Sequence, residues 1–401
     1  MIKSYQKLFK ELNKKINNDL GKGAILGTEI KKRRLKYNLT LHDAAGSICS
    51  ASYLCKIENN SISASKEYLN EICKRLDLAE VLDTLTDLNE LVSSALKDVF
   101  FENIDALKEK LESCEGLNNY RTLMLELMFN TIIYNFKKES KIISQINISL
   151  PNVEEKDLII ILLILAISEY LQGKFLASLE ILSSLENVIG RNEIVDMLYY
   201  RYMFLSNMAL NNIDTTLYYS KLKEMYVSRG YYKFLDRLNY AYAYYLLNNN
   251  VYSMLDSIVD SIYEIKYSET IKFLLNLKNN GYTNYNEFNK ENLLGNAYFL
   301  YLFKENKENC EKELDQINIT HYSFDFNSLY LEYLLLDTDE AKLEFVLSIV
   351  VPSLSSTNEV PYSKFFIHEL GKLCTKKGSY KNYYEACVKL NIDSDEFYKV
   401  Y

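Results

Sequence analysis

In 401 residues the chain has only 12 glycines and 3 prolines. That scarcity constrains its fold more than any other feature. Sandwiches and barrels of short strands need turn residues about every 8–12 positions. A chain with so few breakers must instead run in helices joined by short polar loops. Its 48% hydrophobic and 25% charged residues exclude wholesale disorder. The length allows roughly two to three domains.

Charge is unevenly spread. Through Leu78 there are 15 Lys and Arg against 8 Asp and Glu, a net of +7. The remainder has 46 − 15 = 31 basic and 54 − 8 = 46 acidic residues, a net of −15. A basic head on an acidic body points to a polyanionic partner for the head, because neutralising phosphates drives nucleic-acid binding.

The seven cysteines (Cys49, Cys55, Cys73, Cys114, Cys310, Cys374, Cys387) form no Cys-x-x-Cys pair and read as reduced cytosolic core filler. With only His42, His321 and His368, a histidine-rich metal site is not expected. Residues 1–23 lack an apolar signal region. The most apolar run, Leu158 to Ile167, is ten residues long. It is too short to span a bilayer and predicts a buried helix. The expectation is a cytoplasmic protein without a membrane partner or a cofactor.

Apolar residues at Ile2, Tyr5, Leu8, Phe9, Leu12, Ile16 and Leu20 recur at threes and fours, an amphipathic helix that Gly21-Lys22-Gly23 stops. From Leu26 to Leu78 four or five short helices follow. Asn38 can close one in the left-handed conformation, and Thr40 is a good N-cap for the next at Leu41. Ser50 caps another, running Ala51 to Glu58, and Asn59-Asn60-Ser61 ends it. A further helix from near Ser65 should bury Leu69, Ile72, Cys73 and Leu76. Helix, short turn and polar second helix in a basic segment is the geometry that lays one helix in the major groove.

The strings Leu26-Gly27-Thr28-Glu29-Ile30-Lys31-Lys32-Arg33-Arg34, Leu39-Thr40 and Ile48-Cys49-Ser50-Ala51-Ser52-Tyr53-Leu54-Cys55-Lys56-Ile57-Glu58-Asn59 resemble the Cro/C1 (Xre-type) helix-turn-helix. More narrowly, they resemble its version in the RRNPP group of Gram-positive quorum-sensing regulators, over about 53 residues. The resemblance implies contacts to double-stranded DNA from Arg34, Thr40, Ser50, Ala51, Ser52, Tyr53, Lys56 and Asn59, with Arg34 on a phosphate. Three positions depart from the family: Arg33 stands where Leu or Ile is usually buried, Ala44 where a core Leu is usual, and Leu41 where a Gln often faces DNA.

From Ala79 onward nearly every window reads as helix. Turns at Gly173, Asn211 and Asn249 are spaced by 38 residues both times. Gly378-Ser379-Tyr380 is a further turn of this kind, with irregular candidates near Asn306 and Asp337. That period suits a degenerate tetratricopeptide (TPR) array, whose unit is about 34 residues. The expected fold is all-α: an N-terminal helix-turn-helix domain followed by a right-handed TPR-like helical solenoid. Its expected segments are an amphipathic helix (1–24), the helix-turn-helix (25–78), linker helices (79–118) and the TPR-like body (119–401). The body has no Gly-rich phosphate loop, His-Glu-x-x-His or Gly-x-Ser-x-Gly, so no enzyme is expected. Acidic pairs such as Glu154-Glu155 read as solvated helix starts.

Ten residues before successive turns, Arg201, Asn239, Asn296 and His368 share one phase of the repeat; Asp236 lies one turn before Asn239, and Tyr170 and Tyr242 lie close to the same face. Asn offers a donor and an acceptor to an extended peptide backbone. These seven are the candidate peptide-binding residues of a concave face. The resemblance implies a homodimeric transcription regulator that senses a short signalling peptide. The alternative is a TPR interaction protein that docks another protein and does not bind DNA.

Overall fold

The structure, a computed structural model, describes residues 5–18, 24–59, 66–114, 117, 119–210, 212, 214–249, 251–280, 283–305, 328–353 and 363–390. Among these residues it is all-α. Two compact units divide the chain: residues 1–172 with 176–203, and residues 173–175 with 204–401.

The first unit opens with α1 (Gln6–Asn18) and the head helices α2 (Ala24–Lys36), α3 (Leu41–Ala45), α4 (Ala51–Glu58) and α5 (Lys66–Arg75). Then come α6 (Ala79–Phe101), α7 (Ile104–Glu112), α8 (Tyr120–Ile132), α9 (Glu139–Ser149), α10 (Glu155–Leu171) and α11 (Phe175–Ser183). Helix α12 (Glu193–Ala209) crosses the division. The second unit holds α13 (Thr215–Arg229), α14 (Tyr232–Asn248), α15 (Leu255–Val259), α16 (Ile265–Asn280) and α17 (Gly295–Glu305). It ends with α18 (Ser328–Leu335), α19 (Asp339–Phe345), α20 (Ser363–Lys377) and α21 (Tyr380–Leu390).

The periodic turns fall between helices. Gly173 separates α10 from α11, Asn212 separates α12 from α13, and Gly378 separates α20 from α21. Gly173 and Gly378 have φ of +77° and +67°, the left-handed conformation that glycine adopts at less cost than other residues. Helices α10, α12 and α14 are each 17 residues long. Their starts at Glu155, Glu193 and Tyr232 keep the expected period within one residue. Asp337 lies between α18 and α19, while Asn306 lies outside the described residues.

Helix α10 is the core of the first unit. Every residue from Asp157 to Tyr170 is buried, as its apolar sequence predicts. One cover is the N-terminal helix: α1 packs on α10 and buries Tyr5, Leu8, Phe9 and Leu12. These four residues of the amphipathic stripe therefore find their partner within their own unit, whereas Ile16 is exposed and Ile2 and Leu20 lie outside the described residues. The Tyr5 hydroxyl sits 2.8 Å from Glu139 Oε1 and 2.7 Å from Glu169 Oε1. Burial, then the two carboxylates, pushes its pKa well above the usual phenol range. Lys15 Nζ donates to the Pro151 carbonyl at 3.2 Å. That carbonyl lies in the turn Leu150–Asn152, which also touches α2 of the head.

Asp157, at the start of this apolar core, accepts from Tyr120 Oη at 2.5 Å and from Arg121 Nε at 3.0 Å. Arg121 also reaches Glu154 at 2.8 Å, and Glu155 takes Arg191 at 2.6 Å. Glu154 and Glu155, expected as solvated helix starts, stand half-buried and ion-paired at the start of α10.

Because Leu12 is 1% exposed between α1 and α10, Leu12→Ala should cost about 2–5 kcal/mol in urea unfolding of the first unit. An unchanged midpoint would mean that α1 does not cover α10.

Candidate functional site

The head is a helix-turn-helix closed by local chemistry. Asn38 adopts φ of +55°, ending α2. The Thr40 hydroxyl accepts from Asp43 N–H at 3.1 Å and Asp43 accepts from Thr40 N–H at 3.2 Å, a reciprocal capping box on α3. Between α3 and α4, Gly46 has φ of +51°, and a Cβ there would lie 2.8 Å from the Arg75 guanidinium carbon. Arg75 needs that space, because its Nη2 donates to the Asp43 carbonyl at 2.9 Å. The Ser50 hydroxyl then accepts from Tyr53 N–H at 3.1 Å and caps α4.

Helix α4 has two faces. Leu54, Ile57 and Glu58 are buried, and the two apolar ones join Ile30, Ala44, Ala45 and Ile72 in the head core. Ser52 and Lys56 are exposed, Cys55 is half-buried, and exposed Asn59 ends the helix on their side. Ala51 is half-buried, as is Tyr53, whose ring meets Tyr68 edge-on at 5.7 Å. The Thr40 and Ser50 hydroxyls lie at exposed helix starts, though each already serves its cap.

Arg34 does not face solvent as a phosphate contact should. It is 9% exposed. Its Nε and Nη2 donate to the two oxygens of Glu58 at 2.6 and 2.8 Å, and its Nη1 to the Leu39 carbonyl at 2.9 Å. The pair joins α2 to the end of α4. The Glu58 hydrogen bond above all holds the Arg34 guanidinium in its charged form. Of the departures from the family pattern, Arg33 donates to the Asp77 carbonyl at 3.0 Å, half-buried Leu41 packs against the head core, and Ala44 is fully buried.

The seven candidate peptide residues are divided between the units. Tyr170 and Arg201 belong to the first; Asp236, Asn239, Tyr242, Asn296 and His368 belong to the second. Tyr170 is buried edge-on to Tyr202. Arg201 is 3% exposed, with Nη1 donating to the Phe100 carbonyl at 3.1 Å and its guanidinium over the Phe100 ring. Asp236 accepts from Tyr263 and Glu264 N–H groups at 3.2 and 3.0 Å, just before α16. Asn239 is 1% exposed; its Oδ1 accepts from the Tyr219 hydroxyl at 3.0 Å and its Nδ2 donates to Ser261 Oγ at 3.1 Å. Tyr242 stacks on the same Tyr219 at 3.9 Å, and its hydroxyl meets Thr216 Oγ1 at 3.0 Å. Burial, with Tyr242 nearby, pushes the Tyr219 pKa up to about 12. His368 is half-buried on α20, and the Asn296 side chain lies outside the described residues.

Thus Tyr219, which the repeat phase did not single out, joins Asn239 to Tyr242. In this conformation Asp236 and Asn239 hold α14 to the segment from Ser261 to Glu264. Among the described residues no three His, Cys, Asp or Glu side chains are placed to hold a metal ion, and no helix is long and apolar enough to cross a membrane.

No protein-family model matches the sequence, and no curated protein matches it. Among solved structures, the chain is similar to Bacillus thuringiensis PlcR in complex with the peptide PapR7 and DNA. That likeness is 12% identity over 94% of either chain, with a TM-score of 0.18.

Two substitutions test this geometry. Arg34→Ala leaves the Glu58 carboxylate buried without its partner and should cost about 3 kcal/mol in head stability, read by thermal unfolding. Asn239→Ala removes one buried and one part-buried hydrogen bond and should cost about 1–3 kcal/mol in the second unit, read by urea unfolding.

Proposed function

We propose that the chain is a DNA-binding transcription regulator. In this reading the head lays α4 in the major groove and the helical body receives an effector. The carrying observation is the two-faced α4, capped by Ser50, anchored by Leu54 and Ile57, and presenting Ser52, Lys56 and Asn59 outward. Groove readers place the start of the second helix against base edges and leave backbone contacts to flanking groups. The Arg34–Glu58 pair fixes α4 against α2 and neutralises the one carboxylate on α4. The outward face therefore keeps the positive sign of the head.

For the effector, the family resemblance supports a short signalling peptide, and for the active species a homodimer in the cytoplasm. Within the second unit, Asp236, Asn239, Tyr242, Asn296 and His368 remain the proposed peptide contacts. A peptide backbone that takes over the Asn239 amide must displace Tyr219 or Ser261. Exchange of partners there would loosen α14 from the segment before α16. This supplies the difference in affinity between two conformations that any effector needs in order to shift them.

Selection of bound duplexes from a random-sequence pool should enrich one motif. On that motif, Lys56→Ala with Ser52→Ala should lower affinity by roughly 1–3 kcal/mol per lost base contact. A pool that yields no enriched sequence would instead favour a body that docks another protein.

A further inference from the structure

DNA-binding proteins place cations on the phosphate backbone, and here Arg34 is engaged with Glu58 and the Leu39 carbonyl. Lys31 lies one turn earlier on α2 and is exposed. Its Nζ donates to Asn59 Oδ1 at 3.3 Å, beside the end of α4. Asn59 is oriented from the other side, because its Nδ2 donates to Cys55 Sγ at 3.4 Å. The ammonium is thus held at the rim of the face that carries Ser52 and Lys56. Glu58, the carboxylate next to Asn59 in the chain, already pairs with Arg34.

We propose that Lys31 is the phosphate anchor of the head and that Asn59 is its positioning residue. The ligand is a phosphate of the DNA backbone, so the inference rests on the DNA-binding reading of α4. An ammonium carries three N–H donors and the Asn59 carbonyl takes one of them. Two are left to point at phosphate oxygens. An exposed lysine–amide hydrogen bond adds little to folding, whereas a phosphate contact releases a counterion and steepens the salt dependence of binding.

The test is fluorescence anisotropy of the full chain with a labelled mixed-sequence duplex of about 20 bp, spanning two turns. The salt range is about 50–200 mM. Lys31→Ala should reduce the slope of log K against log salt by about 0.9 per head. Lys31→Arg should restore the slope. Lys36→Ala, which removes an exposed cation from a different side of α2, should leave it unchanged. Asn59→Ala should weaken binding about two- to threefold with the slope nearly intact, as expected for loss of orientation worth about 0.5 kcal/mol. Thermal melts should be alike for all four variants.

A wild-type slope in Lys31→Ala would overturn the anchor and leave DNA binding standing. An equal drop in Lys36→Ala would also overturn it, since net charge alone would then explain the loss. No salt-dependent binding by the wild-type chain would remove the DNA-binding reading, and the anchor with it.

Discussion

Helix α10 is apolar on every side, and the first unit is organised by the need to cover it. A helix with one apolar stripe needs one partner, but Leu158 to Ile167 has no polar face to turn to water. Each fully buried Leu or Ile adds about 1.5–3 kcal/mol to the folded state. Helix α8 and the Ser178 hydroxyl, which donates to the Ala166 carbonyl at 2.8 Å, cover part of it. Helix α1 covers another part. The chain runs from α1 towards α2, and the turn just before α10 touches both. Covering α10 therefore also helps to fix where the head begins.

In the head, electrostatics does the positioning. The buried Arg34–Glu58 pair adds little net stability over an apolar pair of similar volume, because both charges lose hydration. Its effect is geometric: two parallel hydrogen bonds leave α4 one orientation relative to α2. It also sorts the basic residues of α2. Arg34 is consumed within the fold, while Lys31 remains at the edge of α4. A single helix thus supplies both a structural cation and, in the proposed function, a cation for DNA.

Local chemistry was legible in the sequence, and tertiary commitment was not. The caps at Thr40 and Ser50, the left-handed Asn38 and the turn at Gly173 each follow from one residue and its near neighbours, and the structure has them as expected. Arg34 shows the limit: its partner Glu58 is 24 residues away, and only the packing of α2 on α4 brings them together. Asn239 shows another. Repeat phase places it on one side of α14 but says nothing about Tyr219, 20 residues earlier, which takes its amide oxygen. Polar residues at one phase can serve a ligand or the joints between helices, and their pattern is the same in both cases. The clue was available in part, since 35 tyrosines supply many hydroxyls for such joints.

The most direct test of the head's role is hydrogen–deuterium exchange of the full chain with and without a mixed-sequence DNA duplex at low salt. If α4 lies in the groove, amides from Ser50 to Asn59 and those around Lys31 exchange more slowly with DNA, while those of Tyr232–Asn248 in the second unit keep their rates. Equal exchange in the head with and without DNA, or protection confined to the second unit, would contradict the account.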